Sequence, residues 1–390
     1  MNYILFDGTF RNNLLPFTFT RPVADLRIGI LTIREKWEQR LNATTSTKTE
    51  EYLSEKWPLK LESSNIFINA SVLPDDTLLE EISVLQHGEK LVFEDILIAY
   101  KFEGNSELSI EDLQLKESSR KPFIVAHTWD IFSKNAEAIQ LDFNHLTKGR
   151  TSQDIDSSNY TKNSENIFIE EGASVENCSL NASDGPIYIG KNATVMEGSL
   201  IKGPFALGES ATIKMGAKIY GATTIGPSCK AGGEISNSVL LQNSNKGHDG
   251  FLGNSVLGEW CNIGADSNNS NLKNNYAAVR LWDYETERFA DTGLQFCGLI
   301  MGDHSKCGIN TMFNTGTVVG VSANIFGSGF PRNFIPSYSW GGSAGTTTYK
   351  LTKVFETARL VMQRRGVELT AADEKIMEHI FDYSAKWRRD

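Results

Sequence analysis

One histidine stands where it could do chemistry. His248 is among only six histidines in 390 residues. It lies in S-N-K-G-H-D-G-F-L-G-N-S-V-L-G-E-W-C-N-I-G-A-D-S (Ser244 to Ser267), a polar interruption of an otherwise regular stretch. A neutral imidazole is suited to taking a proton from an attacking nitrogen near pH 7. The simpler role for the same residue is a satisfied turn histidine on the corner of a repeat.

The repeat that must position it is explicit. Ile189, Val195, Ile201, Leu207, Ile213, Ile219, Ile225 and Ala231 stand in unbroken six-residue register, and the beat returns at Leu257 and Ile263, then at Met301, Cys307, Phe313, Val319 and Ile325. The unit reads aliphatic, often Gly, two variable residues, then a small residue, as in I-G-K-N-A-T (Ile189 to Thr194). Period six fits neither an amphipathic helix nor an alternating strand. It predicts a parallel β-helix in which each unit gives one short strand and one turn, three units complete a coil, and the aliphatic residue points into a narrow shaft.

Before the coil, residues 1 to about 150 have the texture of an α/β domain. Tyr3 to Phe6, Ile66 to Ala70 and Leu91 to Tyr100 read as strands, and Ile28 to Glu38 and Trp129 to Ile139 as helices. Residues 151–166, rich in Ser, Asn, Asp and Thr, read as a linker. The coil domain is expected over residues 167–345, with Asn271 to Phe296 as an excursion loop of the kind that carries function in a rigid solenoid. Residues 346–390 read as helices, with Leu351, Val354, Phe355, Ala358 and Val361 on one face and Thr370 with Asp373 as a capping box.

A formal net charge of -10 argues against nucleic acid as a partner. No run of about twenty apolar residues suggests a membrane span, and the first residues lack the pattern of a signal peptide, so a cytoplasmic protein is expected. Five cysteines (Cys178, Cys229, Cys261, Cys297, Cys307) without C-x-x-C pairing fit buried free thiols better than a disulfide or zinc framework.

The six-residue repeat resembles the hexapeptide left-handed β-helix family, many of whose members are trimeric acyltransferases. Around His248 the chain resembles the acetyltransferase domain of the bifunctional glucosamine-1-phosphate acetyltransferase and N-acetylglucosamine-1-phosphate uridyltransferase family. The resemblance rests on Gly247, His248, Phe251, Leu252, Gly253, Leu257, Gly258, Asn262, Ile263, Gly264, Ala265, Asn275 and Tyr276. It implies that His248 is the general base, that Gly264 and Ala265 meet the acyl-CoA thioester, and that Asn271 or Asn275 orients the amine. Asn262 joins the substrate-binding set. The family's tyrosine near the base is Phe251 here, and its phosphate-binding lysine has become Ser236; Lys246 or Arg280 could supply that charge.

The amino-terminal segment I-L-F-D-G-T-F-R-N-N-L-L-P-F-T-F-T-R-P-V-A-D-L-R (Ile4 to Arg27) is similar to the nucleotidyltransferase half of the same family, whose loop amides cradle phosphates while Arg and Lys offset charge. It keeps Gly8, Arg11 and the L-L-P turn but lacks the Gly-rich run, and Phe17 replaces the lysine after proline. The family's magnesium carboxylate corresponds to Ser71, with Asp75 or Asp76 as substitutes after a loop shift. Arg21 to Trp37 is close to a divergent GlmU-related branch of sugar nucleotidyltransferases fused to hexapeptide coils. That resemblance offers Arg11, Arg21 and Arg27 for a nucleotide or sugar phosphate; salt-bridged arginines are the equal alternative.

The expectation is therefore a Rossmann-like nucleotidyltransferase domain followed by a left-handed β-helix and a helical tail. The implied reaction is acetyl transfer from acetyl-CoA to an amino sugar phosphate by a homotrimer. Two alternatives stand beside it: nucleotidyl transfer from a nucleoside triphosphate with the coil as an oligomerising module, and a non-catalytic sugar-nucleotide binder.

Overall fold

A computed structural model describes residues 1–104 and 109–388. The chain divides into two compact units. Met1–Leu14, Thr18–Leu26 and Leu31–His127 form the first, and Leu15–Phe17, Arg27–Ile30 and Thr128–Asp390 the second.

The first unit is built on a mixed sheet. Strands β1 (Asn2–Phe6), β2 (Thr45–Lys48), β3 (Ser64–Asn69), β4 (Glu89–Phe93), β5 (Ile96–Glu103) and β6 (Gln114–Glu117) are arranged in the order β2-β1-β3-β5-β4-β6. β1 runs parallel to β2 and β3, while β5 is antiparallel to both β3 and β4. The apolar run of β1 leaves Ile4 and Leu5 with no exposure, as a strand covered on both faces requires. Helix α1 (Ile33–Leu41) starts five residues later than the spacing from Ile28 predicts. Gly29, with φ +73°, lies in the left-handed region and breaks any helix there. The start signal is instead a capping box, in which the Thr32 side chain accepts from the Glu35 amide at 3.1 Å and the Glu35 carboxylate accepts from the Thr32 amide at 2.6 Å.

The second unit is the expected left-handed parallel β-helix. Among its described residues the strands form three faces. The first runs from Tyr160–Lys162 to Phe251–Gly253, the second from Ile167–Ile169 to Phe334–Ile335, and the third from Ser174–Val175 to Gly345–Thr348. Tyr160–Lys162 opens the first face from within the polar stretch at residues 151–166. Every register residue from Ile189 to Ile325 lies in one continuous buried core. All five cysteines are free and buried.

Outward side chains on the second face are buried too: Phe168, Tyr188, Ala206 and Thr224 are at most 8% exposed. Helix α2 (Asp76–Ser83) belongs to the first unit, whereas α3 (Asp130–Ser133) and α4 (Asn135–Thr147) belong to the second. The Asn135 amide nitrogen donates to the Ala222 carbonyl at 3.0 Å and to the Thr224 hydroxyl at 3.1 Å, and its amide oxygen accepts from the Gly29 N–H at 2.7 Å. One buried amide thus ties α4 and the Arg27–Ile30 segment to the coil, and its polar atoms are satisfied as burial demands.

The excursion begins after Asn268–Asn269 and contains an antiparallel hairpin, Arg280–Asp283 with Arg288–Asp291. Parallel pairing of Ile263 with Cys307 continues across it. The coil runs beyond Ile325 to Ser339–Gly342, where Gly345–Thr348 turns back antiparallel. The helical tail follows as α5 (Leu351–Gln363) and α6 (Ala371–Tyr383), and Thr370 with Asp373 forms the capping box read from the sequence. Among the described residues no helix is long and apolar enough to cross a membrane.

Candidate active site

His248 is exposed on the corner where the chain leaves the third face for the first. Corners of successive coils stack there. The Asp266 amide donates to the Asp249 carbonyl at 3.0 Å, and the Asn310 amide to the Ala265 carbonyl at 2.8 Å. The imidazole therefore stands on a rigid edge with Asp249 beside it and the Gly264-Ala265-Asp266 corner next along the shaft.

Lys246 is not at the surface. It is 1% exposed and occupies a shaft position in register with Ala231. Its ammonium donates to the Gly232 carbonyl at 2.9 Å and to the His248 carbonyl at 2.5 Å. Burial lowers its pKa to about 8, against the opposing pull of Asp249 and Asp266. Its charge is held inside the coil and does not reach a substrate phosphate on the outside.

The remaining coil residues separate into groups. Asn262 is exposed on the strand Asn262–Ile263, and Ala265 is half-buried. The Gly264 amide donates to the Cys307 carbonyl at 3.1 Å, so it serves the coil ladder and not an incoming oxyanion. Asn271 donates to the Asn254 side chain at 2.8 Å. A side chain at Gly253 would come within 2.7 Å of the Asn271 amide nitrogen and would also strike the Phe251 ring, so Asn271 and Phe251 flank the same glycine. Asn275 is exposed on the excursion, where its side chain accepts from the Ala277 amide at 3.1 Å. The Arg280 guanidinium donates across its own hairpin to the Phe289 carbonyl at 3.0 Å.

A cation that sequence reasoning missed lies on the same edge. A Cβ at Gly232 would sit 2.9 Å from Lys214 Cβ, and one at Gly247 would sit 4.0 Å from Lys214 Cγ. Two glycines in successive coils thus leave a lane for the Lys214 stem, which passes Gly247, the chain neighbour of His248. The signal was in the sequence as Gly232 and Gly247 at equivalent corner positions.

Further along the coil is a cleft of about 850 Å³, whose walls include Trp282, Phe289, Phe334 and Trp387, with Arg332 and Lys386 among its lining. Trp282 stacks on Phe334 at 4.2 Å between centroids. Gly341 and Gly342, on its floor, belong to the fourth strand beyond Asn245–Lys246 on the third face. At the usual strand spacing that is about 19 Å.

In the first unit, Arg11 is buried. It donates to the Thr18 carbonyl and to the Tyr52 hydroxyl, both at 2.8 Å, and pairs with Asp7 at 3.3 Å. Burial raises the Asp7 carboxyl above its ordinary range and pushes the Tyr52 phenol up to about 12. Arg21 is 5% exposed. Arg27, in the second unit, is equally buried and donates to the Ile30 carbonyl. All three arginines are buried, and Arg11 is in an ion pair with Asp7. Asp75 caps α2 by accepting from the Leu78 amide at 3.0 Å and pairs with Arg120 at 2.5 Å, and Asp76 pairs with Arg40 at 2.6 Å. Ser71 is fully buried. Both aspartates are engaged elsewhere, and among the described residues no three His, Cys, Asp or Glu side chains converge as metal ligands. The magnesium set of the resembled family does not fit these residues.

Residues 3–151 match the sugar nucleotidyl transferase family. The chain is 31% identical over 87 residues to the bifunctional protein GlmU of Methanocaldococcus jannaschii, covering 22% of this chain and 21% of that protein. It is 30% identical over 87 residues to GlmU of Methanococcus aeolicus, covering 22% and 20%. The chain thus spans about a fifth of the length of these relatives. Among solved structures, Arabidopsis UDP-N-acetylglucosamine acyltransferase aligns with a TM-score of 0.25 at 16% identity, covering 60% of this chain and 98% of that one. A histidine-to-alanine mutant of GDP-perosamine N-acetyl transferase from Caulobacter crescentus, in complex with CoA and GDP-perosamine, aligns with a TM-score of 0.16 at 10% identity, covering 89% and 96%. The family match, which runs through the first unit and on through α3 and α4 of the second, is consistent with a GlmU-related family.

Proposed function

We propose that the coil transfers an acetyl group from acetyl-CoA to the amine of an amino sugar phosphate. The observation that carries this reading is the exposed His248 imidazole on a corner fixed by hydrogen bonds from inside and from the next coil. His248 takes a proton from the amine as its nitrogen attacks the thioester carbonyl; the C–N bond forms, the C–S bond breaks, and the imidazolium gives that proton to the departing sulfur, so that CoA leaves as the thiol. Ala265, one coil along, contributes to the thioester side. Asn271, beside Phe251, is the better placed of the two asparagines to orient the amine. Lys214 supplies the positive charge for the sugar phosphate that neither Lys246 nor Arg280 provides. The aromatic cleft accommodates the far end of the long acyl carrier, along the same edge of the coil.

The protein works as a cytoplasmic homotrimer on this reading, each groove completed by a neighbouring copy. Arg11, Asp75 and Asp76, each held by a protein partner, weigh against nucleotidyl turnover in the first unit. A thiol-release assay with acetyl-CoA and glucosamine 1-phosphate tests the proposal. Release that requires both the amino sugar and His248 supports it; no release from folded wild type counts against this acceptor and this reaction.

A further inference from the structure

The third-face corners after Val195, Ile213, Lys246, Ile263 and Cys307 share one plan: an inward residue, three corner residues, then a small residue. In three of them a hydroxyl on that small residue ties down the corner carbonyls. Ser199 donates to the Met196 carbonyl at 2.8 Å, Thr311 to the Gly308 carbonyl at 2.9 Å, and Ser267 to the Gly308 carbonyl at 3.1 Å. In the His248 corner the equivalent residue is Gly250, which has no side chain to offer. Nor does it have room for one, since a Cβ there would strike the Ser267 carbonyl.

Here the inward residue itself makes the corner bond, and it holds the second corner carbonyl, that of His248, where the hydroxyls hold the first. Down the third face the shaft positions are Val175, Val195, Ile213, Ala231, Lys246, Ile263, Cys307 and Ile325, and Lys246 alone among these is charged. Ala231, the smallest of them, lies in register beside it. The ammonium bridges two layers by gripping the corner carbonyl of Gly232 in one coil and that of His248 in its own. Gly233, at φ +72°, makes room for this grip: a Cβ there would lie 2.9 Å from the Lys246 ammonium and 2.8 Å from the His248 carbonyl.

We infer that Lys246 is a positioning residue, which holds the His248 peptide from inside the shaft and so sets the direction in which the imidazole leaves the corner. A charged donor is a strong grip on a carbonyl, and it is retained at a place where an aliphatic residue would fill the shaft equally well. The inference rests on His248 as the base, yet it concerns a geometry that can be measured without turnover.

Two variants and two readouts test it in the full-length protein. In imidazole NMR spectra, with His248 assigned through His248→Ala, Lys246→Met is expected to shift or split the His248 signals while the other five histidines hold their places. Lys246→Gln, which keeps an N–H donor, is expected to restore the wild-type signals at least in part. In the acetyl-transfer assay, Lys246→Met should lower kcat at least tenfold with KM within about twofold, the loss expected of a displaced general base. An unchanged His248 signal in Lys246→Met overturns the inference. Wild type that transfers no acetyl group overturns the reaction, and the spectra then decide the positioning role alone.

Discussion

Arg11 and Tyr52 share a hydrogen bond of 2.8 Å inside the first unit, with the guanidinium also bound to the Thr18 carbonyl and paired with Asp7. An arginine so fully engaged belongs to the interior, although its place after Gly8 resembles a phosphate loop. Replacing it by Met leaves the buried Asp7 carboxylate with the Val23 amide and the Thr49 hydroxyl but without its cation. Loss of one member of such a pair destabilises by about 3–5 kcal/mol. Denaturant titration of Arg11→Met should show that loss; a variant of unchanged stability that no longer binds a nucleotide would make Arg11 a ligand after all.

His248→Ala should behave in the opposite way. The side chain is exposed at a corner and contributes nothing to the shaft, so the thermal midpoint should hold. Acetyl transfer should fall by about 10²–10⁴, the range for removal of a general base. A mutant that unfolds instead would make His248 a structural residue.

Lys246 gives the coil a pH dependence of definite sign. Its folded-state pKa of about 8 lies below the ordinary lysine value. Between the two, the unfolded chain keeps a proton that the folded chain has released, so stability rises with pH across that window. The groups acting on the ammonium are Asp249, Asp266 and the buried Cys307 thiol. At 1.36 kcal/mol per pKa unit the rise amounts to about 3 kcal/mol. Wild type minus Lys246→Met, followed by chemical denaturation from pH 7 to 10.5, isolates it; a flat difference curve would refute the assignment.

Gly29 is the backbone joint of the Asn135 cluster. It combines φ +73° with a Cβ direction that points at the Asp142 carboxylate and lies 2.8 Å from the Ala138 main chain. Gly29→Ala should therefore destabilise by about 2–4 kcal/mol through strain and displacement together. Gly216, also at positive φ but with nothing within 4 Å of a Cβ, is the control that isolates backbone strain. Equal losses at both sites would mean that contacts around Gly29 are unimportant.

The cysteines should be silent in the native protein. Burial pushes the Cys229 and Cys297 thiols up to about 12 and raises Cys178, Cys261 and Cys307 as well. A chromogenic disulfide reagent at pH 8 should find essentially no fast-reacting thiol until denaturant is added. Rapid labelling of one cysteine would expose an opening of the shaft.

The shaft was legible because its signal is one-dimensional: a six-residue beat translates directly into inward positions, and residues from Ile189 to Ile325 fell where the beat put them. The α6 capping box was legible for a similar reason, since Thr370 and Asp373 are local partners. Lys246 was not. The segment from Ala231 is shorter than a full coil, which hid the register, so an inward lysine looked like a surface charge. The Lys214 lane and the Arg11 pairings were equally hidden, because their partners lie in other coils or strands. The helix expected from Ile28 failed at Gly29, where one left-handed residue outweighed helical spacing.

The Ile263–Cys307 pairing has one more consequence. These residues are neighbours in the coil, while the chain between them leaves, builds a hairpin and returns. The fold keeps count by layers and not by residues, so chain length at this point is unconstrained by the architecture around it. The turn at Glu285 and Thr286, exposed at the tip of the hairpin, is therefore a natural port for inserting a reporter domain, with every layer above and below it left in place.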